Sequence, residues 1–286
     1  MTLSKVVSLA KAVAGVEDGS HVALGGFAIT RCVVAAAHEL VRDGRRDLQV
    51  TQTTGGLDTD LLAGGGCIKR IVGSGGSLDR FGPLHAVNRA VLAGQIQADE
   101  YSNLAIALRL HAGALGLPFV PMRSMLGSGL LDTLLEQEDA VRLERDPFTG
   151  KPVVALAPLN PDVAFVHVDV ADEDGNAVIG GPTWSLREIA CAARQTVLLA
   201  EEVVAPGALD PDAITIPAPF VTAVVYVPRG AWPTAALGLY DYDTPHLERY
   251  VAAAAEGGDA YARYLDEFVY GVDSHDQFLE RAGVAV

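Results

Sequence analysis

Two kinds of apolar spacing alternate along the chain. Short apolar runs with strand character are separated by segments whose apolar residues recur at the spacing of one helix face. Residues 21–27 read as a short buried strand that ends in Gly25-Gly26. Val33, Val34, Ala37, Leu40 and Val41 then predict a helix over 32–42. A strand over 47–51 leads into the loop Thr53-Thr54-Gly55-Gly56, and 58–63 reads as a short helix with Gly64-Gly65-Gly66 as its exit. A third strand at 70–73 runs into Ser74-Gly75-Gly76-Ser77. A helix over 84–92 and a strand over 96–99 follow. Next comes a strong helix over 104–115, with Ser102 or Asn103 as N-cap and Gly116-Leu117-Pro118 as its stop.

The pattern resumes after Lys151. Residues 153–156, 164–168, 196–201 and 221–227 read as strands, and 185–193 as a helix. Asp172 to Asn176 is turn-rich, and 122–149 holds a more polar stretch with the character of a lid or insertion. The tail over 245–282 is helical by pattern, punctuated by Gly257-Gly258 and Gly271. Strand, loop and helix in alternation imply βαβ units. The expected fold is therefore α/β: an open, mostly parallel sheet flanked by helices, with a helical C-terminal extension. No repeat or linker divides the chain, so 1–286 reads as one domain. The small-residue loops follow the strands, and that carboxyl edge is where open α/β sheets bind ligands.

Composition narrows the function. The 286 residues carry 21 Lys plus Arg against 36 Asp plus Glu, a net charge of −15, and 50% are hydrophobic. So apolar a chain has enough to bury a core. Its acidity argues against a nucleic-acid footprint and against a polybasic membrane anchor. The three cysteines, Cys32, Cys67 and Cys191, lie far apart and form no metal-ligand spacing, so neither a zinc site nor a disulfide framework is expected. They read as small buried hydrophobes. Residues 1–14 read as an amphipathic first helix rather than a signal peptide, and no run approaches the length of a membrane span. The expected location is the cytoplasm.

Several segments carry candidate chemistry. Gly25-Gly26-Phe27 closes the first strand, where backbone N–H groups beside a helix start can hold an oxyanion or a phosphate; a tight turn without a ligand would look the same. It lacks the spacing of a dinucleotide fingerprint, and no Walker loop or nucleophile elbow occurs. Ser74 and Ser77 can donate to a carboxylate or carbonyl. Glu100, at a strand-to-helix junction, can act as a general base if an apolar pocket tunes it; otherwise it is a solvated acid at a helix start. Ser102 and Asn103 read equally as caps. His111 lies within an apolar helix and reads as a core histidine. His167 and Asp169 share one strand face. Arg123 reads either as an anion contact or as half of an ion pair.

Taken in order, Gly25-Gly26-Phe27, the stretch from Gln52 to Leu62, Glu100 to Asn103, Gly116 to Ser124, Leu126-Gly127-Ser128 and Tyr240 to Leu247 resemble the A (alpha) subunit of family I CoA-transferases, in particular chains similar to glutaconate CoA-transferase. The resemblance spans nearly the whole sequence and rests on the order and spacing of the motifs rather than on any one of them. It implies paired A and B chains of related α/β fold, as a heterodimer or heterotetramer, with the active site between them. It also implies CoA exchange between an acyl-CoA and a free carboxylic acid. The catalytic glutamate, which passes through an anhydride and a glutamyl-CoA thioester, is expected on the B chain. The substrate is then a CoA thioester, with no bound cofactor and no metal. Gly25, Gly26 and Phe27 match an oxyanion-stabilising turn. Gly55, Gly56, Ser74, Ser77, Ser102 and Asn103 would face substrate. Gly75-Gly76 stands where many such chains are expected to be bulkier, which would widen the acyl pocket.

A related branch, CoA-ester hydrolases that open a steroid ring, implies Glu100 as a general base acting on water. A non-catalytic scaffold role is the third reading, prompted by the lack of a self-contained catalytic set. The charge also acquires a meaning. CoA is an anion, so the net acidity cannot be the local field of the site. Its phosphates must meet backbone N–H groups, isolated basic residues or the partner chain.

Overall fold

Strand residues alternate between two apolar layers, and this alternation organises the molecule. The structure, a computed structural model, describes residues 4–137 and 139–284. The first half runs α1 (Leu9–Ala14), β1 (His21–Leu24), α2 (Val34–Arg42), β2 (Leu48–Gln52), α3 (Leu57–Gly64), β3 (Ile68–Gly73), α4 (His85–Leu92), β4 (Gln97–Glu100) and α5 (Asn103–Leu115). An insertion follows: β5 (Val120–Met122), α6 (Gly129–Gln137), β6 (Val141–Arg145) and β7 (Pro152–Leu156). The rest is β8 (Val163–Asp172), β9 (Ala177–Val178), α7 (Leu186–Ala192), β10 (Gln195–Val204), β11 (Ala223–Tyr226), α8 (Thr244–Glu256), α9 (Gly258–Leu265) and α10 (His275–Arg281).

The main sheet has the order β11-β10-β8-β1-β2-β3-β4, with every pair along it parallel and β9 antiparallel on β8. Val22 and Leu24 of β1 face one core with α2, α3, α4 and α8 to α10; Ala23 faces the other, with α5, α6 and α7. The chain runs from β1 outward to β4, then returns to add β8, β10 and β11 on the other side. The sheet therefore reverses direction at β1 and β8, and a crevice at such a reversal is a ligand site.

Most predicted elements lie within a few residues of their observed bounds, but several differ. Met1 to Leu3 fall outside the described residues. Of the predicted first helix only Leu9–Ala14 is helical; Val6 instead pairs in parallel with Val224, so the start of the chain extends the sheet. The first strand ends at Leu24, because the positive φ of Gly26, +94°, turns the chain away. The strand predicted at 153–156 belongs not to the main sheet but to an antiparallel three-stranded sheet, β5-β7-β6, built from the polar insertion. His111 is not in the core: its side chain is 50% exposed, facing Glu188. Among the described residues no helix is long and apolar enough to cross a membrane.

Candidate active site

Four loops leave the carboxyl ends of β1 to β4 and touch one another in sequence. The first is the turn after β1. Gly25 N–H still follows the ladder to the Phe165 carbonyl, at 2.8 Å. Gly26 then takes a left-handed conformation that any side chain would oppose, and a Cβ there would lie 2.6 Å from the Arg31 carbonyl. Phe27 and Thr30 exchange backbone hydrogen bonds at 2.8 and 2.9 Å, which closes the turn. The Gly26 N–H, in a buried residue, makes no hydrogen bond among the described residues. A buried donor left open in this way is costly unless something fills it, and it is suited to a developing oxyanion. Phe27 stacks on Trp184 with ring centroids 5.6 Å apart.

The loop after β2 is locked to that turn by one side chain. Gln52 Nε2 donates to the Gly25 carbonyl at 2.9 Å, and Gln52 Oε1 accepts from Gly56 N–H at 3.1 Å. Gly56 packs so closely on the Ala28 carbonyl that a Cβ would lie 2.2 Å from its oxygen. Asp58, wholly buried, accepts from Val33 N–H at 3.0 Å and so ties the start of α2 to α3. Burial pushes its carboxyl up to about 6, against the pull of those N–H donors and of Gln52. The third loop joins by main chain: Gly55 N–H donates to the Gly75 carbonyl at 2.9 Å, and Ser77 N–H to the Gly55 carbonyl at 3.1 Å. Ser74 Oγ donates to the Thr53 carbonyl.

The fourth segment is the start of α5. Asn103 Nδ2 reaches the Thr53 carbonyl at 3.3 Å, Thr54 Oγ1 at 2.8 Å and Ser74 Oγ at 3.3 Å, so one amide clasps two other loops. Ser102 is the N-cap, accepting from Ala105 N–H at 3.2 Å. Ser77 Oγ accepts from Asp79 N–H at 3.2 Å. Glu100 ends β4 with its carboxylate exposed, 3.8 Å from the position of a Gly75 Cβ, and makes no hydrogen bond or ion pair among the described residues. It stands at the rim of a cavity of about 380 Å³ between α4 and the sheet. The sequence-predicted residues thus fall into two sets. Gly25, Gly26, Gly55, Gly56, Ser74, Asn103 and Glu100 gather in one loop cluster with Phe27 at its edge. The hydroxyls of Ser77 and Ser102 serve local turns.

Sequence reasoning missed a buried polar network behind the β1 turn. It grouped His167 with Asp169, and the structure adds Arg31, Glu201 and Tyr240. Arg31 is fully buried; Nη1 donates to Asp169 Oδ1 at 2.5 Å and lies 3.3 Å from His167 Nδ1, while Nη2 donates to the Gly180 carbonyl at 2.9 Å. A guanidinium only donates, so His167 Nδ1 accepts and Nε2 carries the proton that meets Glu201 Oε1 at 2.6 Å. Tyr240 donates to the same oxygen at 2.6 Å, and Arg229 N–H to Glu201 Oε2 at 2.6 Å. Burial pushes the Glu201 carboxyl up, but His167, Tyr240 and Arg229 outweigh it and hold the group below its ordinary range. Burial and the Glu201 charge push the Tyr240 hydroxyl up. Strand alternation could have found Glu201, which lies within β10 on the same face as Leu199, the register partner of His167. Nothing local marks Arg31. Arg123 meets Asp146 at 3.6 Å on the surface, the ion-pair reading. Among the described residues no cluster of His, Cys, Asp and Glu could hold a metal.

The Coenzyme A transferase family model matches residues 6–226. The chain belongs to the coenzyme A transferase family. It is a CoA-transferase chain of the alpha type, as its motifs imply. It is 35% identical to the alpha-type chain of glutaconate CoA-transferase from Acidaminococcus fermentans, over 98% of this chain and 92% of that one. The crystal structure of that enzyme superposes with a TM-score of 0.92 over 98% of this chain and 93% of its own. Identity to the corresponding chain of 3-oxoadipate CoA-transferase from Pseudomonas knackmussii is 32%, over 92% of each chain. A cholesterol ring-cleaving hydrolase subunit of Rhodococcus jostii is 30% identical over 96% of this chain and 94% of its own. In this CoA-transferase chain the mostly parallel sheet flanked by helices is the fold of the glutaconate enzyme.

Proposed function

We propose that this chain is the alpha half of a two-subunit CoA-transferase. It works in the cytoplasm with a B chain, as a heterodimer or heterotetramer, and moves CoA between an acyl-CoA and a free carboxylic acid. The observation that carries this reading is the loop cluster: an open, buried Gly26 N–H beside clasped glycine loops, without a nucleophile and base held together there. The cluster is a receptor for a reacting thioester, and the attacking carboxylate is left to the partner, as the names of the relatives as subunits support.

In that reading a glutamate of the partner attacks the thioester carbonyl. The carbonyl oxygen takes on negative charge, and the Gly26 N–H holds it. The C–S bond breaks, CoA leaves as a thiolate, and an acyl anhydride forms. The thiolate then attacks the glutamyl carbonyl of the anhydride and expels the donor acid as a carboxylate. The acceptor carboxylate runs the same steps in reverse, which gives ping-pong kinetics. Gly25, Phe27, Gly55, Gly56, Ser74 and Asn103 shape the site around the thioester.

Exchange of CoA by the chain with its B partner, and none by either alone, is the expected result. Hydroxylamine should trap a glutamyl thioester on the B chain. Robust exchange by this chain alone would overturn the shared site. One observation favours a second reading, in which water is the acceptor: Glu100 is exposed at the rim of a cavity and has no hydrogen bond or ion pair among the described residues. As a general base it would make the complex a thioester hydrolase. Glu100→Gln would then abolish hydrolysis with assembly intact, and no thioester would be trapped.

A further inference from the structure

The cavity behind Glu100 has a definite chemistry. It lies between α4 and the β2–β3–β4 face, and its volume of about 380 Å³ falls in the range of small-molecule sites, about 300–1,000 Å³. Val50, Ile71, Leu84, Val87, Val91 and Ala98 form its apolar walls, and Gln52, Thr59 and Asn88 add polar side chains. Gly55, Gly75 and Gly76 of the loop cluster border it. Glycine is needed here because the loops pack closely against each other and against Leu84. A Cβ on Gly76 would strike the Gly55 carbonyl at 2.7 Å and the Leu84 side chain at 2.6 Å. Gly75, at φ +78°, places only hydrogen between the loop and the Glu100 carboxylate.

The charges around it are one-sided. Among the described residues, no lysine, arginine or histidine lines the cavity, while Glu100 stands at its rim. Arg70, in the neighbouring strand, is paired with Asp99. A carboxylate carried into this space would find no cation and face the Glu100 carboxylate. A hydrocarbon would bury against the wall at a gain.

We propose that this cavity holds the acyl chain of the CoA thioester, and that it selects an apolar, monocarboxylic acyl group over one with a second, distal carboxylate. The proposal rests on the CoA-transferase reading and adds the substrate class. It departs from the glutaconate and 3-oxoadipate enzymes among the relatives, whose named acids carry two carboxylates.

The test uses this chain in complex with its B partner and two thioesters of equal length, hexanoyl-CoA and adipyl-CoA. Hexanoyl-CoA should be favoured in kcat/KM and in calorimetric affinity by roughly tenfold or more, because the lining offers a distal carboxylate no cation and sets the Glu100 carboxylate against it. Ala98→Phe should lower the hexanoyl-to-acetyl ratio of kcat/KM by a similar factor, and Val87→Arg should move preference toward adipyl-CoA. A wild-type preference for adipyl-CoA would overturn the proposal. So would an Ala98→Phe variant with an unchanged hexanoyl-to-acetyl ratio but weakened binding of the B chain, since the partner would then be what fills the groove. If no acid accepts CoA, binding decides. Hexanoyl-CoA held more tightly than adipyl-CoA, and weakened by Ala98→Phe, would keep the pocket and remove the transferase reading.

Discussion

Single residues set the shape of the site more than their reactivity does. Gly26 is the clearest case, with φ at +94° and the Arg31 carbonyl 2.6 Å from any added Cβ. Gly26→Ala should cost about 1–3 kcal/mol in stability and lower CoA exchange further than that destabilisation explains, because the open N–H would be displaced. Urea denaturation and exchange by the complex read the two effects separately; full exchange at normal stability would remove Gly26 from the oxyanion role. The paired glycines of this turn were legible in sequence because only backbone freedom explains them there. Arg31 was not. Its guanidinium finds Asp169, His167 and the Gly180 carbonyl through contacts more than a hundred residues away. Removing His167 tests that network: His167→Ala takes one hydrogen-bond partner each from Glu201 and Arg31 in a buried place and should cost about 1–3 kcal/mol, read from the same urea curves.

Elements were read well where period and punctuation agreed. α5 is the example: Ser102 starts it and Gly116, in a left-handed conformation, ends it, as the sequence predicts. The insertion was harder, since β5, β6 and β7 find each other only in a separate antiparallel sheet and no residue in them announces which sheet they join. The start of α5 also separates two side chains that the sequence treated alike. Ser102 satisfies its own helix, whereas Asn103 clasps Thr53, Thr54 and Ser74. Ser102→Ala should therefore lower stability by about 1 kcal/mol with exchange tracking that loss. Asn103→Ala should reduce kcat/KM by roughly tenfold for a comparable change in stability, since loops that position a substrate lose rate when they loosen. Thermal melts alongside kinetics of the complex distinguish these outcomes. Equal kinetic losses in both variants would mean that Asn103 is a structural residue only.

At the scale of the whole molecule the alternation of strands and helices was enough to predict the parallel sheet. It did not place β8 beside β1, because strand order is decided by how the two apolar layers close and not by any local pattern. The predicted C-terminal helices fold back onto the same core as α2, α3 and α4. There they bury three histidines, of which His246 meets the Tyr264 hydroxyl at 2.9 Å and His275 the Arg229 carbonyl. His38 has neither ring nitrogen bonded among the described residues and meets the Phe278 ring edge-on at 4.5 Å. His246 lies 5.6 Å from the same ring and His275 5.7 Å. Burial pulls His246 and His275 down to about 4 and moves His38 in the same direction. Their unfolded values are near 6.5, so on acidification the unfolded chain takes up protons first and stability falls between pH 6.5 and pH 4. By pH 5 the loss is about 2 kcal/mol for each of His246 and His275. Three effects oppose it, one of them the buried Asp60 carboxyl, which burial pushes up. Acidification relieves the net charge of −15, and Asp58, raised to about 6 by burial, gains a proton in the fold first and returns about 1 kcal/mol by pH 5. If the histidines dominate, the urea midpoint falls from pH 7 to pH 5, and α8 to α10 lose amide protection before the central strands do. His275→Gln keeps a donor for the Arg229 carbonyl, which His275 Nε2 meets at 2.9 Å, and removes one titration, so its midpoint should fall less over the same interval. A midpoint that stays level or rises on acidification would show that charge relief outweighs the buried rings.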